Sequence, residues 1–372
     1  MRVLLSGGGT AGHINPAIAI ADLIKQNAPH AQIAFVGTPS GMENRLVAAA
    51  GYPILHVRVE GLSRSLSARN VRALWFAMTS PARARRILAD FSPDLVIGTG
   101  GYVCWPILRA AAAAGIPCAL HESNAVPGLT TRRLAPHMDG IWLNFEETAK
   151  QLPQGCVRPI CTGNPLRQSF TRLTREVARK RLALSEKEVL LLSFGGSLGA
   201  ERLNEAMLRF MKEAQPKASS LTVIHACGIK HYDTCRAAFG ENTVKSRLFP
   251  YIDDMPLYMA AADIVLCRAG AMTISEIALC GKCAILVPSP YVAGDHQRKN
   301  AEILVKNHAA FCVEEHDLPD IKLEKTIFSL ISDKKRRRAC EIAVKKFAKP
   351  NSDKIIWEQI QKIRRKSAAE FE

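Results

Sequence analysis

The residue types most able to do chemistry in this chain sit in two glycine-rich loops. The first reads Gly7-Gly8-Gly9-Thr10-Ala11-Gly12-His13 and runs through Ile14-Asn15-Pro16 into a helical pattern over 17–24. Glycine lets backbone come close to a ligand, and the N–H groups at a helix start favour an anion such as a diphosphate. Gly7, Gly9 and Gly12 also satisfy the G-x-G-x-x-G dinucleotide spacing, a weak match by itself. A nicotinamide site calls for an acid at the end of the second strand, where this chain has Val36-Gly37-Thr38, so a dehydrogenase is disfavoured. The second loop, Gly195-Gly196-Ser197-Leu198-Gly199, precedes Ala200-Glu201-Arg202-Leu203 and fits the G-x-S-x-G elbow of an α/β hydrolase with Ser197 as nucleophile. Asp263 and His296 could complete a triad, but no HGGG-like oxyanion segment accompanies them. That reading also leaves the first loop and the excess positive charge without a role.

Three further loops follow apolar runs: Gly98-Thr99-Gly100-Gly101-Tyr102, His121-Glu122-Ser123-Asn124 and Arg268-Ala269-Gly270-Ala271, the last opening a helix over 272–279. Any one of them could be ordinary turn chemistry. Their number at strand carboxyl ends points to a cleft for a phosphate-rich ligand. Cys280 and Cys283 form the one C-x-x-C pair, with no second pair and no nearby histidine. Gly281 between them suits the stop of a helix before the strand 284–287, so zinc and redox chemistry are set aside.

The elements that must carry these loops are short Val, Ile and Leu runs alternating with helical patterns, the signature of parallel sheets with crossover helices. Strands are expected at 3–6, 33–36, 95–98 and 118–120, and a second series at 189–194, 221–224, 264–267 and 284–287. Two strand–glycine loop–helix openings predict an α/β chain with two doubly wound, Rossmann-like domains facing a central cleft. The stretch from Asn164-Pro165 to Arg181 reads as the linker.

The 372 residues, 48% of them hydrophobic, suffice for two cores. The chain opens on Met1-Arg2-Val3-Leu4-Leu5 without a basic-then-apolar leader, and no uncharged apolar run reaches the ~18 residues a membrane span requires, so a cytosolic or peripheral protein is expected. Eleven cysteines lie singly in apolar stretches, as small buried hydrophobes do in a reducing compartment. The net charge of +16 calls for nucleic acid, anionic lipid or phosphorylated substrates as partner. A nucleic-acid module is disfavoured, because no RRM, KH, zinc-finger or helix-turn-helix signature is present.

Taken together, these segments resemble the MurG family of peptidoglycan-synthesis transferases, in order and over nearly the whole chain. The family's G-G-T-G-G-H stands as Gly8-Gly9-Thr10-Ala11-Gly12-His13, its G-G-Y as Gly100-Gly101-Tyr102, its H-E-Q-N as His121-Glu122-Ser123-Asn124 and its G-N-P-x-R as Gly163-Asn164-Pro165-Leu166-Arg167. Its G-G-S-Q-G is Gly195 to Gly199, its I-D-D-M is Ile252-Asp253-Asp254-Met255, and its closing motifs are Arg268 to Glu276 and Asp295-His296-Gln297 with Asn300-Ala301. Three positions depart from the pattern: Ala11 and Ser123 replace a glycine and a glutamine, and Leu198 replaces the glutamine that helps hold the donor nucleotide.

The resemblance implies the two-domain GT-B fold and transfer of N-acetylglucosamine from UDP-N-acetylglucosamine to a lipid-linked pyrophosphoryl muramoyl-peptide, with inversion. It implies an acceptor and membrane-associated domain over 1–166, a donor-binding domain over 167–349, and a last helix, 350–372, returning to the first domain. The donor would meet Ile252 at the uracil, Glu276 at the ribose, and Ala271-Met272-Thr273-Ile274-Ser275 with Ser197 and Arg167 at the diphosphate. Gln297 and Asn300 would hold the sugar. Thr10, Ala11, Gly12 and Asn124 would line the substrate site. No metal and no cofactor are called for, because a helix N-terminus and a guanidinium can stabilise the departing UDP. Asp253-Asp254 reads as a helix cap, not a metal ligand.

A base must take the acceptor proton. His13 is the first candidate, since histidine ordinarily titrates near neutrality, with a helix-capping histidine as the bland alternative. Glu122 is the second candidate, while His121 would orient its loop. A non-catalytic sugar-nucleotide binder would lack such a base. A lipid-anchored acceptor places the protein peripherally at the cytoplasmic face of the cell membrane, against an anionic surface. Arg64, Arg69, Arg72, Arg83, Arg85 and Arg86, beside an apolar stripe of Val71, Leu74, Trp75 and Met78 with Phe76, are the expected docking face. Packing of that stripe into the first domain's core is the competing reading.

Overall fold

The computed structural model describes residues 1–60, 80, 82–166, 169–196, 199–214, 218–243 and 245–370. The chain divides into two compact units, Met1–Leu166 with Lys349–Glu372, and Arg167–Ala348. Among the described residues no helix is long and apolar enough to cross a membrane.

The first unit contains strands β1 Arg2–Ser6, β2 Gln32–Gly37, β3 Ile54–His56, β4 Leu95–Gly98, β5 Cys118–Glu122, β6 Gly140–Leu143 and β7 Ile160–Cys161. They form a sheet in the order β3-β2-β1-β4-β5-β6-β7, and every pairing in it is parallel. Its helices are α1 Ala11–Asn27, α2 Glu43–Ala49, α3 over 82–91, α4 Cys104–Ala113 and α5 Leu129–Leu134. Strands buried on both faces must be apolar throughout, which is why Val3, Leu4, Leu5 and Leu95, Val96, Ile97 are continuous runs. Odd members of β1 pack under α1 with Ile14, Ala17 and Ile20. Leu4 joins the opposite layer with Ile107, Leu108 and Leu134.

The second unit contains α6 Ser169–Arg172, α7 Arg175–Arg181, β8 Val189–Phe194, α8 Glu201–Arg209, β9 Leu221–Ala226, α9 Tyr232–Phe239, β10 Ser246–Phe249, α10 Met255–Ala261 and β11 Ile264–Cys267. It continues with α11 Ala271–Cys280, β12 Cys283–Leu286, α12 His296–Lys306, β13 Phe311–Cys312, α13 Lys322–Ser332 and α14 Lys334–Lys345. Its sheet, also parallel throughout, has the order β10-β9-β8-β11-β12-β13. The final helix, α15 Ser352–Glu370, returns to the first unit. Ile356, Ile360 and Ile363, spaced along one face, are buried there with the residues beneath α1.

The expected strands are present with ends shifted by up to two residues, and five more complete the sheets: β3, β6, β7, β10 and β13. The expected linker is a correction. Residues 169–181 form α6 and α7, and α7 buries Arg179 completely. Arg179 reaches the Ala261 carbonyl at 3.1 Å and Asp263 at 3.0 Å, so the segment is integral to the second unit. As expected, α11 ends at Gly281 in the left-handed region (φ 64°, ψ 47°). The Asp254 side chain caps α10 by accepting from Leu257 N–H at 3.3 Å.

Candidate active site

In doubly wound sheets ligands bind beyond the strand carboxyl ends where the strand order reverses. That point lies between β1 and β4 in one unit and between β8 and β11 in the other. All four strands lead into glycine-containing loops: Gly7–Gly9, Thr99–Gly101, Gly195–Gly199 and Arg268–Gly270.

In the first unit the two loops are packed face to face around His13. Gly100 and Gly101 have φ of +110° and +84°. A Cβ on Gly100 would stand 2.7 Å from His13 Cδ2, and one on Gly101 would stand 2.3 Å from the Gly8 carbonyl, so glycine is required at both. Buried Thr99 ties the pair, its hydroxyl donating to the His13 carbonyl at 2.6 Å. His13 lies in the first turn of α1, half-exposed, with Nδ1 3.1 Å from the Gly8 carbonyl oxygen. A carbonyl can only accept, so Nδ1 carries the proton and Nε2 presents a lone pair.

Thr10 is the extended residue that starts α1, and Ala11 is its first helical residue, so the alanine takes a conformation open to any residue. The N–H groups of Gly8 and Gly9 are engaged within the fold, by the Gly100 carbonyl at 3.4 Å and Glu43 at 3.5 Å. Those of Ala11 and Gly12 have no partner among the described residues and are the amides an anion would meet.

Glu43 is a positioning residue the motifs did not reveal. It is buried and also accepts from Thr38 N–H at 2.9 Å and the Thr38 hydroxyl at 2.7 Å, which fixes the underside of the first loop. Its signal in the sequence is slight: an acid inside an ordinary helix, six residues after the strand end where a dinucleotide site would have placed one.

Glu122, the second candidate for the base, is tied into its own loop. It is buried and its oxygens accept four hydrogen bonds: Oε1 from the Asn124 N–H and side-chain amide at 3.1 and 3.2 Å, Oε2 from Gly128 N–H at 3.1 Å and the Thr131 hydroxyl at 2.7 Å. A carboxylate so occupied organises its loop. Asn124, half-buried, is thereby held in place. His121, buried with Nε2 3.0 Å from the Gly163 carbonyl, is pushed by burial toward the neutral form and orients the same loop.

In the second unit α11 begins at Ala271, after Gly270, with no acid in its first turn to offset the positive end of the helix dipole. Met272, Thr273, Ser275 and Glu276 are partly exposed along this helix. Ile274, Ala271 and Ile252 are buried, so their side chains belong to the core and backbone is what they can offer a ligand. Arg268 carries the preceding loop: it pairs with buried Glu315 and donates to the Val287 carbonyl at 3.3 Å.

Gln297 accepts from Ser289 N–H at 2.9 Å. Asn300, expected at the sugar, is fully buried, and its side chain donates to the Ala269 carbonyl at 3.2 Å, which ties α12 to the loop before α11. Arg167, Ser197 and Leu198 lie outside the described residues, as do Arg64, Arg69, Arg72, Val71, Leu74, Trp75, Phe76 and Met78 of the expected docking face. Arg83, Arg85 and Arg86 are exposed on α3.

The hydrolase alternative fails on topology. Asp263 precedes β11 and accepts from Leu190 N–H at 2.8 Å, at the amino end of the sheet, whereas position 197 follows the carboxyl end of β8. Asp263 is held by Arg175 and Arg179 at 2.8 and 3.0 Å.

Two Rossmann-like units with glycine-containing loops at both switch points form the GT-B architecture of glycosyltransferases. The chain belongs to glycosyltransferase family 28, whose amino-terminal and carboxy-terminal domain models match residues 3–142 and 190–355. It is 39% identical over 97% of its length to a protein of Alkaliphilus metalliredigens, covering 98% of that protein. It is 40% identical over 99% of its length to one of Acetivibrio thermocellus, covering all of it. Both relatives are named UDP-N-acetylglucosamine--N-acetylmuramyl-(pentapeptide) pyrophosphoryl-undecaprenol N-acetylglucosamine transferase. The crystal structure of Acinetobacter baumannii MurG superposes with a TM-score of 0.77 at 28% identity, covering 97% of this chain and 99% of that one.

Proposed function

We propose that this chain transfers N-acetylglucosamine from UDP-N-acetylglucosamine to the 4-hydroxyl of an undecaprenyl-pyrophosphoryl N-acetylmuramoyl-peptide, a step of peptidoglycan synthesis. The observation that carries the reading is correspondence with the transferases above over essentially the full chain, at 39–40% identity. The site residues agree chemically. The amino end of α11, free of acids in its first turn, suits the donor diphosphate, and Glu276 on the same helix is the candidate for the ribose hydroxyls. The acceptor oxygen attacks the anomeric carbon from the face opposite the diphosphate, the bond to the UDP β-phosphate oxygen breaks with its electrons leaving on UDP, and configuration inverts. His13 Nε2 takes the hydroxyl proton. The negative charge growing on UDP is stabilised by helix amides already oriented toward it, which need no reorganisation during the reaction.

Because the acceptor's polyprenyl chain stays in the bilayer, the enzyme works as a peripheral protein on the cytoplasmic face of the cell membrane, against its anionic lipids. Exposed Arg83, Arg85 and Arg86 support this placement. Incubation of the purified protein with UDP-N-acetylglucosamine and the lipid-linked muramoyl-peptide tests the function. A lipid-linked disaccharide product is expected, and recovery of both substrates unchanged would overturn the reading.

A further inference from the structure

Beneath the second glycine loop lies a chain of polar side chains that the transfer chemistry does not use. Ser193 on β8, His225 on β9 and Asn204 on α8 are all buried. His225 Nδ1 is 3.1 Å from the Ser193 hydroxyl, His225 Nε2 is 3.2 Å from Asn204 Oδ1, and Asn204 Nδ2 is 2.9 Å from the Cys227 carbonyl oxygen.

One end fixes the direction of every bond. The Cys227 carbonyl can only accept, so the Asn204 NH2 group faces it and Oδ1 faces His225. That oxygen also only accepts, so Nε2 carries the ring proton. Nδ1 therefore holds a lone pair and accepts from the Ser193 hydroxyl. The imidazole is neutral, in line with burial pushing it down to about 4.

The same carbonyl is where the loop comes down. Gly199 has φ +77°, and a Cβ there would stand 2.2 Å from Cys227 O. Asn204 N–H bonds the Ala200 carbonyl at 2.8 Å, and a Cβ on Gly195 would stand 2.6 Å from Ala200 N. Gly199 and the first turn of α8 thus converge on the backbone oxygen of Cys227, just past β9, while Gly195, just past β8, packs against Ala200. Apolar side chains of similar size would fill the space, but they would leave that oxygen without its donor and the descending limb of the loop without its anchor.

We propose that Ser193, His225 and Asn204 are positioning residues that fix Gly195 and Gly199, on either side of 197–198, where the donor nucleotide is received. The inference rests on the assignment of the second unit as the donor site. Donor affinity is what the clamp controls, so its loss raises the KM for UDP-N-acetylglucosamine and spares the proton transfer at His13.

Steady-state kinetics of the full chain, with donor and lipid-linked acceptor varied separately, tests this on two variants. In His225→Leu the hydrogen-bond chain is cut. A rise of about tenfold in donor KM is expected, the scale of one net hydrogen bond, with kcat and acceptor KM nearly unchanged. In His225→Gln the amide can still donate to Asn204 and accept from Ser193, so donor KM returns near the wild-type value. A merely structural histidine would lower the melting temperature in both variants without this rescue. Donor KM unchanged in His225→Leu overturns the proposal. Amide hydrogen exchange over residues 199–204, measured without any ligand, keeps the clamp testable if the donor assignment itself is wrong. Faster exchange in His225→Leu is expected, and unchanged exchange sinks the clamp whatever the substrate.

Discussion

His13 Nδ1 stands 3.1 Å from the Gly8 carbonyl oxygen, and this contact decides which ring nitrogen can act as a base. It joins the first helical turn of α1 to the loop that begins it, so the imidazole is oriented by backbone and Nε2 is left to take a proton. The contact also satisfies the bland role of a histidine that merely ties down a helix start, and only kinetics separates the two. His13→Ala is expected to lower kcat by about a hundredfold or more while UDP affinity stays close to wild type, the pattern of a lost general base. Turnover within a few fold of wild type would assign His13 to the tie alone.

Glu276 follows the first turn of α11 and is partly exposed, and by its place on that helix it is the candidate for the ribose hydroxyls. Glu276→Ala is expected to weaken UDP binding by roughly 1.5–3 kcal/mol, the cost of losing hydrogen bonds to a charged group, with unchanged melting temperature. Calorimetric titration checks it. Equal UDP affinity in variant and wild type would reject the ribose role.

Burial of His225 makes stability depend on pH. Its folded pKa, about 4, lies below the unfolded value of ~6.5. Between these values the unfolded chain binds more protons, so this stabilisation is complete above the unfolded value and is lost as pH falls toward 4. The loss should approach roughly 3 kcal/mol. Buried His121, shifted in the same direction by burial, adds to the trend. Urea unfolding at pH 7 and pH 5 should show a smaller loss of stability in His225→Gln than in wild type. An identical pH slope in the two proteins would contradict the assignment of a neutral buried imidazole.

Much of the fold was legible because its signals are local. The central strands are uninterrupted apolar runs, Gly281 ends α11 by its own conformational freedom, and Asp254 caps the helix that follows it through an N–H three residues on. The edge strands β7 and β13 are two residues each, too short for any periodicity to register. The helical character of 169–181 was hidden because its charged residues suggest a solvated linker. The partners that bury Arg179 lie as far away as Asp263. The site divides in the same way. The glycine loops and His13 announce themselves by spacing, whereas the roles of Glu122 and Asn300 depend on which hydrogen bonds are already filled. For Asn300 the deciding partner, Ala269, is 31 residues distant in the chain.

Arg83, Arg85 and Arg86 are exposed on α3, whose Ala84, Ile87 and Leu88 face the core. Their joint replacement by Glu therefore leaves the buried face intact. Each basic residue near an anionic bilayer contributes about 1 kcal/mol and is screened within a Debye length. The triple variant should bind liposomes containing anionic lipid more weakly at low salt and lose activity on membrane-embedded acceptor, while activity on a soluble short-chain acceptor survives. Equal liposome binding by both proteins would remove these arginines from the docking face and leave the transferase assignment untouched.

The transfer reaction itself is tested most directly by UDP release from UDP-N-acetylglucosamine, followed with and without a lipid-pyrophosphoryl muramoyl-peptide. The account predicts release that depends on the acceptor and is matched by one N-acetylglucosamine gained per acceptor. Tight UDP-N-acetylglucosamine binding with no acceptor-dependent release would contradict it and leave a sugar-nucleotide binder without catalysis.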